Sequence, residues 1–344
     1  MGEGNKIKKI ELLFITQKIH KNDDDLAFVI QWIDEFIKQG VNVKVICLEK
    51  GDFDDHFPVY SLGKEKGLKK WQWILNFYKY IFTLKYDKVF VHMNPEWSCL
   101  GSLYWKLKKK SFYLWYTHYT MTWYLRITSW MVDRMFCATK QSLPQFNNSP
   151  KKIVTNHGID LDYWNVGNLL KLEDRNKYNL LLVHRLCRSK RLELSIQTLK
   201  FLPNEYNLTI YGRNVEKDYV LELEMLIKKL NLLDRIKFMG PVPTHELKNI
   251  YKNYRLMINM ASETIDKTKL EAMYFGIYPV TTKSNSIAIG LPKYIENNSP
   301  KDIAEFILNG EWDKYDIEYL RDIVKNKHSL SALIELLLKQ MNEK

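Results

Sequence analysis

Ser262-Glu263-Thr264-Ile265-Asp266-Lys267-Thr268-Lys269-Leu270-Glu271-Ala272-Met273 decides how this chain is read, with Gly276 and Pro279-Val280 closing the segment. Two carboxylates stand eight residues apart, Glu263 ahead of an expected helix and Glu271 inside it. That spacing lets two acidic side chains and a helix N-terminus meet on one ligand. Carboxylates accept hydrogen bonds from hydroxyl groups, and a helix N-terminus attracts phosphate. Two acids at a fixed spacing mean little alone, because Glu is common on helices. The string Leu-Glu-Ala-Met, then a glycine, then Pro-Val opening a strand is far more specific. The plain alternative is an amphipathic helix with an exposed Glu and a turn.

Outward from this segment, strand and helix signals alternate. Upstream come strands at Asn179–Val183, Leu208–Tyr211, Ile236–Met239 and Leu256–Asn259, with helices at Leu192–Leu199, Tyr219–Leu230 and His245–Tyr254; Tyr278–Thr281 follows as a strand. The first half has the same rhythm. Strands are expected at Ile10–Thr16, Val41–Leu48, Val59–Leu62, Lys88–His92, Phe112–Tyr116 and Met135–Thr139. Helices are expected at Leu26–Gln39, Leu68–Leu84, Leu100–Leu107 and Trp123–Met131. This βαβα order predicts an α/β protein of two doubly wound, Rossmann-like domains. The expected division is 1–165, a polar linker 166–176, a second domain 177–324, and a C-terminal segment 325–344 with an amphipathic helix over Ser329–Met341.

The Glu263…Glu271 segment resembles the Glu-x7-Glu motif of retaining glycosyltransferases of the GT-B fold, the large family 4 type. Other stretches extend the resemblance over nearly the full length, loosely in the first half. His184-Arg185-Leu186 with Lys190 resembles the family's Gly-Arg-Leu…Lys motif, with His184 where a glycine is usual. Tyr211-Gly212-Arg213 and Phe238-Met239-Gly240-Pro241-Val242 match glycine turns. Asn156-His157-Gly158-Ile159-Asp160 is similar to the signature that precedes the linker, with a structural role. The resemblance implies two domains facing a central cleft, a nucleotide-sugar donor, transfer to an acceptor hydroxyl with retained anomeric configuration, and no essential metal or cofactor. It also implies that the last helix returns to the N-terminal domain.

Roles follow residue by residue. Glu263 would orient donor-sugar hydroxyls and Glu271 the ribose; Gly212 and Val242 would lie along the donor, Val242 beside the base. Arg185 and Lys190 would hold the diphosphate, where charge grows as the sugar leaves, so fixed cations favour the transition state. His118, after the strand Phe112–Tyr116, would lie beside the reacting centre, with His92 a weaker version of the same claim. The alternative for His118 is a half-buried aromatic-cluster histidine. Asn22-Asp23-Asp24-Asp25 stands where relatives carry a Gly pair; a helix cap is the favoured reading and acceptor binding the other. A metal-binding Asp-x-Asp is rejected there, because that motif belongs after a mid-domain strand. Asp266 and Lys267 stand where a glycine and its neighbour are usual, so Asp266 fills space, binds a hydroxyl or pairs with Lys267. Donor identity is therefore open.

Composition adds a localised feature. The net charge is +12, yet residues 61–140 hold 14 Lys and Arg against 4 Asp and Glu, with seven of the ten tryptophans. Lys66, Lys69, Lys70, Trp71 and Trp73, extended by Lys108 and Lys109, predict an interfacial patch for anionic lipid. The alternative is a core-facing aromatic stripe with a solvated lysine face; nucleic acid is disfavoured because no binding motif accompanies the lysines. Cys47, Cys99, Cys137 and Cys187 have neither disulfide nor metal-ligand spacing. With no signal-peptide pattern and no apolar run long enough to span a bilayer, the expectation is a cytoplasmic protein, peripheral on the inner face of the plasma membrane. The functional expectation is a retaining glycosyltransferase using a UDP- or GDP-sugar and a glycan or lipid-linked acceptor. A GT-B nucleotide-sugar epimerase and a non-catalytic sugar-nucleotide or membrane-binding protein are the alternatives.

Overall fold

A computed structural model describes residues 9–23, 26–167, 169–261 and 265–343. They form two compact units: the described residues through Thr155 joined by those from Leu333 onward, and Asn156–Ala332.

The first unit is built on a seven-stranded sheet: β1 (Glu11–Ile19), β2 (Asn42–Lys50), β3 (Val59–Ser61), β4 (Lys88–His92), β5 (Ser111–Trp115), β6 (Arg134–Cys137) and β7 (Lys152–Val154). All pairings are parallel and the order is β3-β2-β1-β4-β5-β6-β7. The expected strands are present. β7 was not anticipated; it is three residues long, and its partial exposure leaves no hydrophobic run to read. The second unit holds β8 (Asn179–Val183), β9 (Asn207–Tyr211), β10 (Ile236–Gly240), β11 (Leu256–Asn259) and β12 (Tyr278–Thr281), parallel in the order β10-β9-β8-β11-β12. The central strands of both sheets carry buried apolar runs, Leu12–Ile15, Val89–Val91, Leu180–Val183 and Leu256–Ile258, as parallel strands covered on both faces require.

Each sheet has one reversal of strand order. It lies between β1 and β4 in the first unit and between β8 and β11 in the second. At such a switch point the loops leave the carboxyl edge in opposite directions and open a crevice, which is where ligands bind in open α/β sheets.

The boundaries differ from the expected ones. Residues 156–176 belong with the second unit rather than ending a first domain at 165 and forming a linker. Arg175 explains this: it is buried, and its guanidinium donates to the carbonyls of Leu170, Tyr254 and Phe275. In the Asn-His-Gly-Ile-Asp stretch, a Cβ on Gly158 would lie 2.8 Å from Leu330 Cα, and Ile159 bridges Ser329. That close approach is the stretch's structural role. The expected C-terminal segment 325–344 divides between two helices, Ile317–Lys327 and Leu330–Asn342. The later part of the second helix groups with the first unit, where the Tyr113 hydroxyl donates to the Met341 carbonyl at 2.8 Å.

Candidate active site

In the second unit, the loop after β8 carries His184, Arg185 and Lys190, and the loop after β11 ends at Asp266. Asp266 occupies the N-cap of the helix Lys267–Tyr274 but makes no side-chain capping bond. Its carboxylate is turned to cations. Lys190 Nζ donates to Oδ1 at 2.6 Å, His184 Nε2 lies 3.4 Å from Oδ2, and Lys269 Nζ lies 3.9 Å from Oδ2. The Lys269 side chain has no exposure, that of His184 4% and those of Lys190 and Asp266 15% each. Sequence reading placed Lys190 and Asp266 in the donor site; Lys269 was missed. Its signal was i,i+3 spacing from Asp266 on the inward face of the helix.

Burial sets the electrostatics. It alone would raise the Asp266 pKa, but His184, Lys190 and Lys269 outweigh it and hold the carboxyl well below the usual carboxylate range. Burial pushes His184 down to about 4, so its ring is neutral at pH 7, and lowers Lys269 to about 8. Burial also holds Lys267 well below the usual lysine range, with Glu271 opposing. Glu271 is buried and accepts from the Tyr251 hydroxyl at 3.2 Å. Burial raises its carboxyl to about 7, with Lys267 and Tyr251 pulling the other way. Tyr251 is a second residue that sequence reading missed. It sits twenty positions away on another helix, and only packing brings it to Glu271.

Arg185 is exposed at the same sheet edge, and Val242 is half-buried after β10. Gly212 has a backbone reason to be glycine: a Cβ there would lie 1.6 Å from the His184 carbonyl oxygen. This approach lets β8 and β9 stay paired as the loop turns off. Glu263 lies outside the described residues, as does Asp24 of the first loop.

At the first unit's switch point, Asp23 accepts from the Leu26 amide at 2.8 Å and pairs with Lys18 at 3.0 Å. Asp23 therefore braces the turn before the helix rather than capping it: the helix Phe28–Lys38 has Ala27 at its N-cap, with no side-chain cap bond and no acid in its first turn. Asn22 is exposed. His92 is buried among rings, 5.5 Å from Trp32, 5.7 Å from Phe28 and 6.2 Å from Phe14. His118 lies beyond the carboxyl end of β5, exposed and edge-on to Tyr116 at 5.4 Å, rather than half-buried in an aromatic cluster. The buried thiols of Cys47 and Cys137 are pushed up to about 12 and about 11 by burial, so neither is a nucleophile.

The tryptophan-rich window divides. Trp97, Trp105 and Trp115 are core, and Trp73 packs partly buried against that core rather than lining a surface patch. Trp71, Trp123 and Trp130 are 59%, 61% and 75% exposed. On the helix Lys70–Thr83, Phe77 and Ile81 face inward, whereas Trp71, Leu75 and Phe82 face water in one stripe. Phe82 meets Tyr104 of the helix Pro95–Leu107, whose Leu103 and Leu107 are also exposed. Lys66, Lys69, Lys70, Lys108 and Lys109 are exposed in the same stretches. Among the described residues no helix is long and apolar enough to cross a membrane.

Comparison with known proteins identifies the class. Residues 171–335 match the family model for glycosyl transferases group 1, and residues 21–131 match the model for glycosyl transferase 4-like proteins. Together the two matches span most of the chain, which belongs to the group 1 glycosyltransferases. HepE from Anabaena, solved in complex with UDP and glucose, is similar at a TM-score of 0.77 and 15% identity, over 97% of this chain and 100% of that one. Sucrose-phosphate synthase from Thermosynechococcus elongatus is similar at 0.75 and 13%, over 96% and 99%. WaaG, a glycosyltransferase involved in lipopolysaccharide biosynthesis, is similar at 0.70 and 14%, over 97% and 100%. No curated protein gives a significant sequence match. At these identities the likeness establishes the GT-B fold, as the sequence resemblance implied.

Proposed function

We propose that this glycosyltransferase transfers a sugar from a uridine or guanosine diphosphate sugar to a hydroxyl of a glycan or lipid-linked acceptor, with retention of anomeric configuration. The observation that carries the donor reading is the cation cluster at the β8/β11 switch point, beside a helix N-terminus. The solved complexes of HepE with UDP and with UDP-glucose support a uridine nucleotide as the first donor to test.

In this reading Arg185 and Lys190 bind the diphosphate. Negative charge grows on it as the glycosidic bond breaks, and prepositioned cations stabilise that charge. Glu271 accepts from the ribose hydroxyls, and Glu263 orients the sugar. Gly212 and Val242 line the donor, and Lys267 tempers the charge of Glu271. His118 serves the acceptor side of the reaction, joined by Asn22 and Asp23 as hydroxyl ligands. The cations do the work of a metal, so activity in EDTA should equal that in buffer. Thermal-shift and calorimetric screens of UDP-, GDP- and ADP-sugars test the donor. Undiminished nucleotide affinity in both Glu271→Ala and Arg185→Ala would contradict these roles. Nuclear magnetic resonance of the product reads the anomeric configuration, and product formation without acceptor would reveal an epimerase instead.

The membrane part of the reading rests on the exposed stripe Trp71, Leu75 and Phe82, with Leu103 and Leu107 beside it and lysines around them. Exposed apolar area ringed by cations suits an anionic bilayer surface. Sedimentation with vesicles of defined anionic-lipid content at low salt tests it, and absence of binding would sink it.

A further inference from the structure

The donor-site reading leaves Asp266 without a purpose, since a carboxylate beside a diphosphate repels it. We propose that Asp266 is a resident counter-ion: in the ligand-free protein it occupies a three-donor anion site formed by Lys190, Lys269 and His184, and the donor diphosphate displaces it. This rests on the donor reading for the identity of the ligand, though not for the existence of the site.

Four observations carry the proposal. First, Asp266 sits at an N-cap, where Asp normally bonds a helix amide, yet its side chain makes no such bond and reaches Lys190 at 2.6 Å instead. Second, Lys269 is fully buried and its Nζ makes no hydrogen bond, Asp266 Oδ2 at 3.9 Å being too distant. A buried ammonium with three donors and no acceptor is a group awaiting a ligand. Third, Asp266 Oδ2 and His184 Nε2 are likewise buried without a hydrogen-bond partner, although only 3.4 Å apart. With His184 neutral, one carboxylate faces two lysines, so the cluster is neither charge-balanced nor geometrically satisfied. Fourth, it lies at the sheet's switch point, at the start of a helix, where an anion is favoured on topological and dipolar grounds.

One carboxylate offers two oxygens to these groups. A diphosphate offers more acceptors and more charge, so it can satisfy Lys269 where Asp266 does not. Asp266 thus partly compensates the half-buried Lys190 and the buried Lys269 before the donor arrives, and weakens donor binding by the energy of its own ion pairs. Lys269 becomes a further diphosphate ligand, absent from the expected donor set.

The test is calorimetry with inorganic pyrophosphate and, separately, with UDP, on the full chain at pH 7.5. Asp266→Asn keeps the shape and removes the charge, so it should bind pyrophosphate at least tenfold more tightly than the native protein. Adding Lys269→Met to it should abolish the gain. Equal or weaker binding by Asp266→Asn would overturn the proposal. Should that variant fail to fold, Lys269→Met alone decides. It replaces a buried ammonium by a volume-matched apolar group, so the fold should hold while pyrophosphate affinity drops at least fivefold; unchanged affinity rejects the site. Pyrophosphate binding that follows this pattern, with no binding of UDP, GDP or ADP, would keep the anion site and remove the nucleotide-sugar reading. Normal UDP binding that is indifferent to both substitutions would do the reverse.

Discussion

The two switch points have the same topology and opposite chemistry. Between β1 and β4, the buried group is a histidine among aromatic rings, and Asp23 is satisfied locally by Lys18 and the Leu26 amide. Between β8 and β11, charges are buried together and several hydrogen-bonding positions stay open. The first crevice also leaves buried polar atoms without a hydrogen bond, Thr16 Oγ1 and Asn94 Oδ1 among them, but these are neutral. Buried charges that lack partners store more binding capacity than neutral atoms, because a ligand that completes them recovers desolvation already incurred in folding. Parallel-sheet topology thus places a crevice in each half, and the side chains decide which one takes a charged ligand.

The largest expected effect breaks this asymmetry directly. Lys190→Ala removes the cation nearest Asp266 and should lower UDP affinity on the order of 100-fold, as loss of one partner in a buried charge pair does. Lys18→Ala, the counterpart in the first unit, should leave UDP affinity unchanged in the same titration. Equal losses would erase the distinction between the crevices.

Glu271 sharpens the comparison through pH. Its folded-state pKa is raised from 4.5 to about 7, so it favours the folded state in its protonated form. That contribution is complete below about pH 4.5 and is lost as pH rises through 7. Between pH 4.5 and 8 the native protein should lose stability, by about 3 kcal/mol at most. Glu271→Gln should match the native protein at pH 5 and exceed it at pH 8 in denaturant melts. The first unit holds no such carboxylate among the groups with resolved shifts; Glu11 and Glu49 there are both lowered by their lysine partners.

A smaller effect is expected for His92→Phe. A ring replaces a ring in an aromatic cluster, so stability should change by less than about 1.5 kcal/mol and turnover should persist. A loss of turnover above tenfold with an unchanged melting temperature would restore His92 as a working residue. The smallest stability effect belongs to Trp71→Ser with Leu107→Ser, which should shift folding by under about 0.5 kcal/mol per site. The pair should nonetheless abolish vesicle binding in a flotation assay.

Much of the architecture was legible because it is local. Apolar runs of strand length alternating with helical periodicity marked every strand of both sheets except β7, and the glycine turns fell at strand ends. Arg175 was not legible: in a polar, aperiodic stretch it read as linker, although its buried guanidinium ties the Leu170 carbonyl of that stretch to those of Tyr254 and Phe275. The tryptophan-rich window misled in one respect. Exposure on a helix depends on what packs beside it, so Trp73 and Trp71, two positions apart, part company.

The sequence by itself determined the two-sheet α/β plan, the order of the motifs and the donor-site candidates Arg185, Lys190, Asp266 and Glu271. Hydrophobic periodicity and turn chemistry are written over a few neighbouring residues. Only the tertiary structure decided that Asp266 faces Lys190 across 76 positions, with His184 and Lys269 on the same carboxylate. Strand order brings those loops together, and a charge becomes strongly coupled only after the fold removes the water between it and its partner.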